Sequence, residues 1–504
     1  MAGFTCANFC MDFDLFNGLT SGGQTFLLIL CLLIALGFEV VNGFHDTANA
    51  VATVIYTRSL RPWVAVVWSG ICNFFGVFLG GIAVALAIVH LLPVDLLITK
   101  GTGGGLAAVL ALLVSAVLWN LGTWYKGLPA SSSHTLIGAI LGVGLANSLL
   151  PGHVFGDGVN WSKAEGVGLA LLISPLIGFT LAGVLLWISK RTIRQPYLYD
   201  KPAEDAPPPF WIRALLVLTC TGVSFVHGSN DGQKGVGLIM LVLIGILPAQ
   251  YALNTAMTHA ETERTLNAVR KLEQTFAAGV ILEPALPASA SVQQAGFAPQ
   301  GAPTTAAAAS TVATVQGDLA LIRKLLEGKD TPKDVPKEQR WEIRKSVLRV
   351  DNAIAVAEKN GNLALPPEAK AAVKNYRSDI RAITDYAPSW VMVAVAIALG
   401  LGTMIGWKRI VVTVGEKIGM GHLSYAQGAS AELVAMSTIG ISAVAGLPVS
   451  TTHVLASGVA GTMVANRAGL QSGTVRKIAL AWLLTLPASM LMAGGLYLLF
   501  RLFV

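Results

Sequence analysis

The nine residues Leu128-Pro129-Ala130-Ser131-Ser132-Ser133-His134-Thr135-Leu136 return as Leu447-Pro448-Val449-Ser450-Thr451-Thr452-His453-Val454-Leu455, each copy set in an otherwise apolar stretch. A second pair accompanies them: Gly43-Phe44-His45-Asp46-Thr47-Ala48-Asn49 recurs as Gly228-Ser229-Asn230-Asp231-Gly232-Gln233-Lys234. The chain reads as an internal duplication, so its fold has to give both copies of both motifs equivalent surroundings. Polar and ionisable groups are expensive at membrane depth, and motifs kept there twice point to a binding pathway. Duplicated, interrupted hydrophobic segments are also the pattern of a carrier whose site lies where two repeats meet.

Membrane embedding follows from composition. Hydrophobic residues make up 54% of the 504 positions and charged ones only 12%, which excludes an ordinary soluble globular chain. Crossing hydrocarbon takes about 20 residues per helix, and only helices or closed barrels satisfy their backbone there. We place apolar spans at roughly 26 to 56, 63 to 91, 104 to 125, 128 to 150, 166 to 189, 210 to 247, 388 to 407, 424 to 446, 447 to 465 and 478 to 500. The expected fold class is an all-α polytopic membrane protein of about ten spans, with broken or re-entrant helices at the duplicated motifs. Residues 1–25 carry no Lys or Arg, so the first span is expected to be its own anchor and not a cleaved signal.

Charge placement sets the expected orientation. With the N-terminus outside, Arg58, Arg61, Lys126, Lys190, Arg191, Lys408, Arg409, Lys417, Arg467 and Arg476 fall at cytoplasmic ends, leaving few cations in the opposite short loops. The net charge of +7 is explained by this bias, and no nucleic-acid motif accompanies it. Five spans precede residue 200 and five follow, so the second set enters from the other side. The domains are then 1–200 as a first transmembrane repeat and 201–249 with 388–504 as a second, inverted one. Residues 250–387 are densely charged, with an Ala/Pro/Gln-rich piece from Pro284 to Ala309 and helix-like runs at 312–329 and 335–383. They read as a soluble helical insertion on the non-cytoplasmic side.

The motifs suggest a chemistry. In Ser131-Ser132-Ser133-His134 a proline stops one segment and hydroxyl residues cap the next, giving a helix N-terminus with unpaired N–H groups and about half a positive charge. An anion suits such an end. Ser450-Thr451-Thr452-His453 supplies a second from the opposite direction. Asp46 and Asp231, flanked by Gly43, Gly228 and Gly232, suggest helices that unwind to form a cation site. An anion beside two carboxylates needs a cation or proton to travel with it, so coupling is implied. His45 and Lys234 compete with a bound sodium ion, whereas Asn49 and Asn230 can ligate one; protons are the leading coupling ion and sodium the alternative. Lys234 is also a candidate counter-charge for Asp231. Asn42 and Glu39 lie within two turns of Asp46, and Glu432 is a further carboxyl at depth. His90 and Asp95 read as loop residues. Trp63, Trp124, Trp390 and Trp407 fit the interfacial aromatic belt. Cys6, Cys10, Cys31, Cys72 and Cys220 lack metal-binding spacing, so no resident metal or cofactor is expected.

At these residues the chain resembles the inorganic phosphate transporter (PiT) family, most closely its bacterial low-affinity symporter branch. The matching segments are Gly43 to Thr53, Gly127 to Gly138, Phe225 to Gly237, Gly402 to Trp407 and Leu447 to Ser457. The resemblance implies a carrier for inorganic phosphate in the inner membrane, coupled to protons or sodium, with phosphate complexed to a divalent metal as a candidate cargo and a homodimer as a candidate assembly. Phosphate contacts then fall on Ser131, Ser132, Ser133, His134, Ser450, Thr451, Thr452 and His453; Lys234, on its charge and not on the resemblance, is a further candidate for meeting the anion directly. Asp46, Asn49, Asn230 and Asp231 serve phosphate and the coupling ion, joined by Asn42 and His45. Departures from the sodium-coupled pattern at His45 and Lys234 favour protons.

Other classes are weaker. An anion channel needs no intramembrane carboxylates, and a sulfate carrier would not profit from them, because phosphate can donate a hydrogen bond to an ionised Asp and sulfate cannot. No Gly-x-Ser-x-Gly or His-Glu-x-x-His supports an enzyme.

Overall fold

The computed structural model describes residues 22–91, 104–153, 155, 156, 159–202, 207–277, 305–359 and 366–503. Cys6, Cys10, Asp95 and most of Pro284 to Ala309 lie outside them. The described residues form helices and connecting turns with no strand; two residues, Gly419 and Leu470, make an isolated bridge.

Helices α1 (Gly22–Asp46) and α2 (Ala48–Tyr56) form one long apolar run interrupted only at Thr47. After them come α3 (Pro62–Leu79), opened by a proline at its first turn, α4 (Ala83–Val89), α5 (Gly104–Tyr125), α6 (Ser132–Ser148) and α7 (Trp161–Thr192). Helix α8 (Phe210–His227) passes through a π turn at Gly228–Gly232 into α9 (Gln233–Ile246). A charged group follows: α10 (His259–Ala277), α11 (Thr305–Leu326), α12 (Lys337–Lys359) and α13 (Pro367–Arg381). The chain ends with α14 (Ser389–Met404), α15 (Lys408–Glu416), α16 (Tyr425–Val444), α17 (Thr451–Ala465) and α18 (Ser472–Phe500).

Six helical segments among the described residues are long and apolar enough to cross a bilayer, and α14 with α15, bent by 64°, passes the same test only when the two are taken together. The sequence reading expects ten. Physical reasons account for the difference. The expected span 63–91 remains in the count but shortens to Pro62–Leu79, because Gly81 turns the chain at φ +81° before α4. The segments 128–150 and 447–465 shorten to the 17 residues of α6 and the 15 of α17, about 25 and 22 Å long, too short for a perpendicular crossing. Helix α16 has the length, but Gln427, Glu432 and four hydroxyl residues make it polar.

Packing interleaves the first and last parts of the chain. Helix α6 lies along α18 and α17 along α7; α1 packs on α14, α8 on α3, and α3 on α14. Two of the glycines near the aspartates serve this packing. A Cβ at Gly43 would stand 2.5 Å from the Leu399 carbonyl oxygen, and one at Gly228 would stand 2.2 Å from that of Asn73. The α-helix is interrupted at both places: α1 and α2 part at Thr47, which keeps helical angles (φ −51°, ψ −37°), and the second copy makes a π turn, while the small residues permit close helix approach.

Helices α10 to α13 enclose their own apolar core, including Leu266, Val269, Leu319, Ile343 and Val347. The ends of this unit are tied together: Asn254 N–H donates to the Ile383 carbonyl at 2.8 Å, and buried Arg344 donates to the carbonyls of Ala252 and Thr384, both at 3.1 Å. Asp385 pairs with His90 at 3.3 Å and with Arg381 at 2.6 Å, fastening the unit to the end of α4. His90 is the turn residue that ends α4, as the sequence reading expects, and its side chain docks the unit. Burial raises the Asp385 carboxyl, but His90 and Arg381 outweigh it and hold it at about 2.

Candidate functional site

Proline lacks the N–H that a helix interior needs, and Pro129 and Pro448 each precede an extended residue, Ser131 (φ −97°, ψ 115°) and Ser450 (φ −92°, ψ 102°). Each serine caps its helix. Ser131 Oγ accepts the His134 N–H at 3.2 Å, and Ser450 Oγ accepts that of His453 at 3.1 Å. Thus α6 and α17 begin inside the bundle, and the residues that follow the caps reach the two aspartates.

Asp46 and Asp231 are fully buried and share ligands. The Ser132 hydroxyl lies 3.4 Å from Asp46 Oδ2 and 3.3 Å from Asp231 Oδ2; having one proton, it serves one carboxylate at a time. Thr451 Oγ1 donates to Asp231 Oδ2 at 3.3 Å, and Thr452 Oγ1 donates to Asp46 Oδ1. Asn49 donates to Asp46 at 3.2 Å and to Thr452 at 3.3 Å. At the position matching Asn49, Lys234 pairs with Asp231 Oδ1 at 2.6 Å, donates to Ser133, and reaches the Val449 carbonyl at 3.1 Å. Ser133 itself donates to Val449 O at 2.7 Å. Two helix N-termini from distant parts of the sequence therefore converge on one carboxylate pair, of which one member has a fixed ammonium.

Other expected residues stand further from this centre. His134 and His453 meet at a tilt with ring centroids 4.5 Å apart, and His453 stacks on Trp482 at 4.1 Å. Asn230 donates to the Leu447 carbonyl at 3.1 Å, turned away from Asp231 toward the loop that leads into α17. His45 holds Nδ1 3.7 Å from Asp46 Oδ1 and Nε2 3.3 Å from Thr123 Oγ1. Asn42 turns to Glu39 at 3.5 Å. Glu432 accepts from both Thr53 and Thr219, joining α16 to α2 and α8.

The sequence reading misses His227. Its Nε2 lies 3.6 Å from Asp46 Oδ2 and 3.7 Å from Asp231 Oδ2, between the two carboxylates. A hydrogen-bond chain assigns its tautomer. Thr403 Oγ1 donates to Leu399 O at 2.9 Å and so accepts from Asn73 Nδ2 at 3.0 Å. That orients Asn73 Oδ1 toward His227 Nδ1 at 2.8 Å, making Nδ1 the donor. The lone pair on Nε2 then faces two carboxylates and has no hydrogen-bond partner of its own among the described residues. Asp46, His227 and Asp231 also offer three ligand atoms all within 4.8 Å of one another, an O, N, O set that suits a divalent metal. The signal was in the repeat register. Asn42-Gly43-Phe44-His45-Asp46 aligns with His227-Gly228-Ser229-Asn230-Asp231, an exchange of Asn and His at the two positions around each glycine.

A model of the phosphate transporter family matches residues 42–493. Among curated proteins, the chain is 45% identical to the low-affinity inorganic phosphate transporter PitA of Escherichia coli strain K12, covering 94% of this chain and 96% of that protein. It is 42% identical to PitB of the same strain, covering 97% and 98%. A probable low-affinity inorganic phosphate transporter of Bacillus subtilis is 26% identical over 92% of this chain and 94% of its own length. Among solved structures, one titled as the sodium-dependent phosphate transporter superposes with a TM-score of 0.51 at 19% identity, covering 95% of this chain and all of that one. These relatives are named as transporters and not as enzymes.

Proposed function

Because the chain belongs to the phosphate transporter family, we propose that it is a secondary carrier importing inorganic phosphate across the inner membrane by symport with protons. The observation that supports proton coupling best is His227, whose Nε2 faces both Asp46 and Asp231 while its Nδ1 is committed to Asn73. Two carboxylates and one Lys234 ammonium leave an excess negative charge that repels a phosphate anion. A proton taken at Nε2 or on a carboxylate removes that repulsion. The N-terminal ends of α6 and α17, through Ser132, Thr451 and Thr452, then exchange their bonds to the aspartates for bonds to phosphate oxygens. A phosphate hydroxyl can donate to whichever aspartate stays ionised, which favours phosphate over sulfate.

Alternating access is supported by the helix pairs. Matching α1 to α8, α3 to α14, α6 to α17 and α7 to α18, the contacts of α6 with α18 and α1 with α14 correspond to those of α17 with α7 and α8 with α3. A packing scheme that maps onto itself when the halves are exchanged is what two inverted repeats rocking about a shared site require. The cargo extends to a metal–phosphate complex, with Asp46, His227 and Asp231 holding the divalent ion as substrate.

The test is phosphate uptake by proteoliposomes under imposed gradients. An inward proton gradient without sodium should drive accumulation above the external concentration. Accumulation only with sodium would replace the proton in this scheme with that ion, and passive equilibration under every gradient would remove coupling altogether.

A further inference from the structure

A second cluster of cations lies away from the aspartate pair. A cavity of about 610 Å³ opens where α15 folds over the end of α5, lined by Trp124, Lys126, Trp407, Lys408, Arg409 and Lys417 among others. Arg409 is fixed in place: it donates to the Tyr125 carbonyl at 2.9 Å and lies 5.2 Å from the ring centres of both Trp124 and Tyr125. The indole N–H of Trp124 donates to Gly406 O at 2.9 Å, and Thr413 donates to Gly127 O at 2.9 Å, so the walls are tied across the cavity. No acidic side chain lines it; Glu416, next to Lys417, is engaged by the Tyr56 hydroxyl at 2.7 Å. The 64° bend between α14 and α15, with Trp124 and Trp407 beside it, sets the cavity where a membrane meets water. Its inner wall reaches the first site, since Trp124 packs on Phe44 at 4.9 Å and the neighbouring Thr123 meets His45.

We propose that this cavity is a second binding site, for a phosphate-bearing anion, at one mouth of the carrier. Three exposed lysines supply the charge, the fixed guanidinium of Arg409 supplies the directed donors, and a volume far above that of a single phosphate leaves room for an organic phosphodiester as well. Free phosphate and the headgroup of an anionic phospholipid share this chemistry.

The test counts sites on the full chain in nanodiscs by equilibrium dialysis with radiolabelled inorganic phosphate. In phosphatidylcholine the parent should bind at two sites and the K126Q/K408Q/K417Q variant at one, or at a second site weakened at least about tenfold. The K126R/K408R/K417R variant should keep both. In phosphatidylglycerol, loss of the second site together with lipid retained through purification identifies the headgroup as occupant; persistence of two sites identifies free phosphate. A parent with one site that the glutamine variant abolishes upholds this proposal and defeats the aspartate-centred reading. Equal binding by parent and glutamine variant, with no difference in retained lipid, overturns it.

Discussion

At the scale of single residues, the account assigns separate tasks to groups a few ångströms apart. Asp46→Asn and Asp231→Asn should abolish uptake while the protein still inserts; vesicle uptake normalised to membrane content checks this, and full activity in both would refute the role of the carboxylates. Ser132→Ala should raise the half-saturating phosphate concentration by a factor on the order of 2–10, the worth of one hydrogen bond. His227→Gln separates binding from coupling. It should still bind phosphate but lose the response to a proton gradient, and an unchanged response would remove Nε2 as the seat of the proton. The duplicated motifs made most of these residues legible, because Asp46, Asp231, Ser132, Thr451 and Thr452 stand in register in the two copies. His227 escaped because a lone histidine in an apolar helix has no local signature. It becomes visible only when the exchanged Asn42 and His227 are aligned.

At the scale of elements, glycine carried two meanings that sequence alone did not separate. Gly43 and Gly228 beside the aspartates fitted unwound backbone, yet in the structure they let α1 and α8 approach α14 and α3. Gly228→Ala should therefore force those helices apart, destabilising the protein by about 1–3 kcal/mol. A lowered melting temperature with reduced uptake checks it, and wild-type melting would show that the helices separate freely. Half-length helices were better signalled, because proline followed by hydroxyl residues fixes a start. Their stopping short of a full span depended on Leu149 and Asn466 ending the helices, which no motif marks. The charged unit adds a pH dependence. A carboxyl held at about 2 against an ordinary 3.8 contributes in full above pH 3.8 and loses that contribution as pH falls toward 2. Asp385→Asn should remove on the order of 2 kcal/mol and flatten the acid limb of the unit's unfolding curve; an unaltered acid limb would mean that His90 and Arg381 do not hold the Asp385 carboxylate.

At the scale of the whole molecule, hydropathy marked the apolar segments and charge marked the stretch 250–387, in which α10 to α13 lie, while the number of full crossings was not legible. A 20-residue polar helix such as α16 and two short helices buried among others look alike in a hydropathy count. What joins the scales is the meeting of α6 and α17 at Asp46 and Asp231, reached by hydroxyls from residues more than three hundred positions apart. The direct measurement places single cysteines at Ser132 and at Thr451 in a background lacking Cys6, Cys10, Cys31, Cys72 and Cys220, and labels them in oriented vesicles with a membrane-impermeant thiol reagent. The account predicts that both positions react from either side of the membrane and that phosphate protects both; reaction of each from one fixed side, indifferent to phosphate, would contradict it.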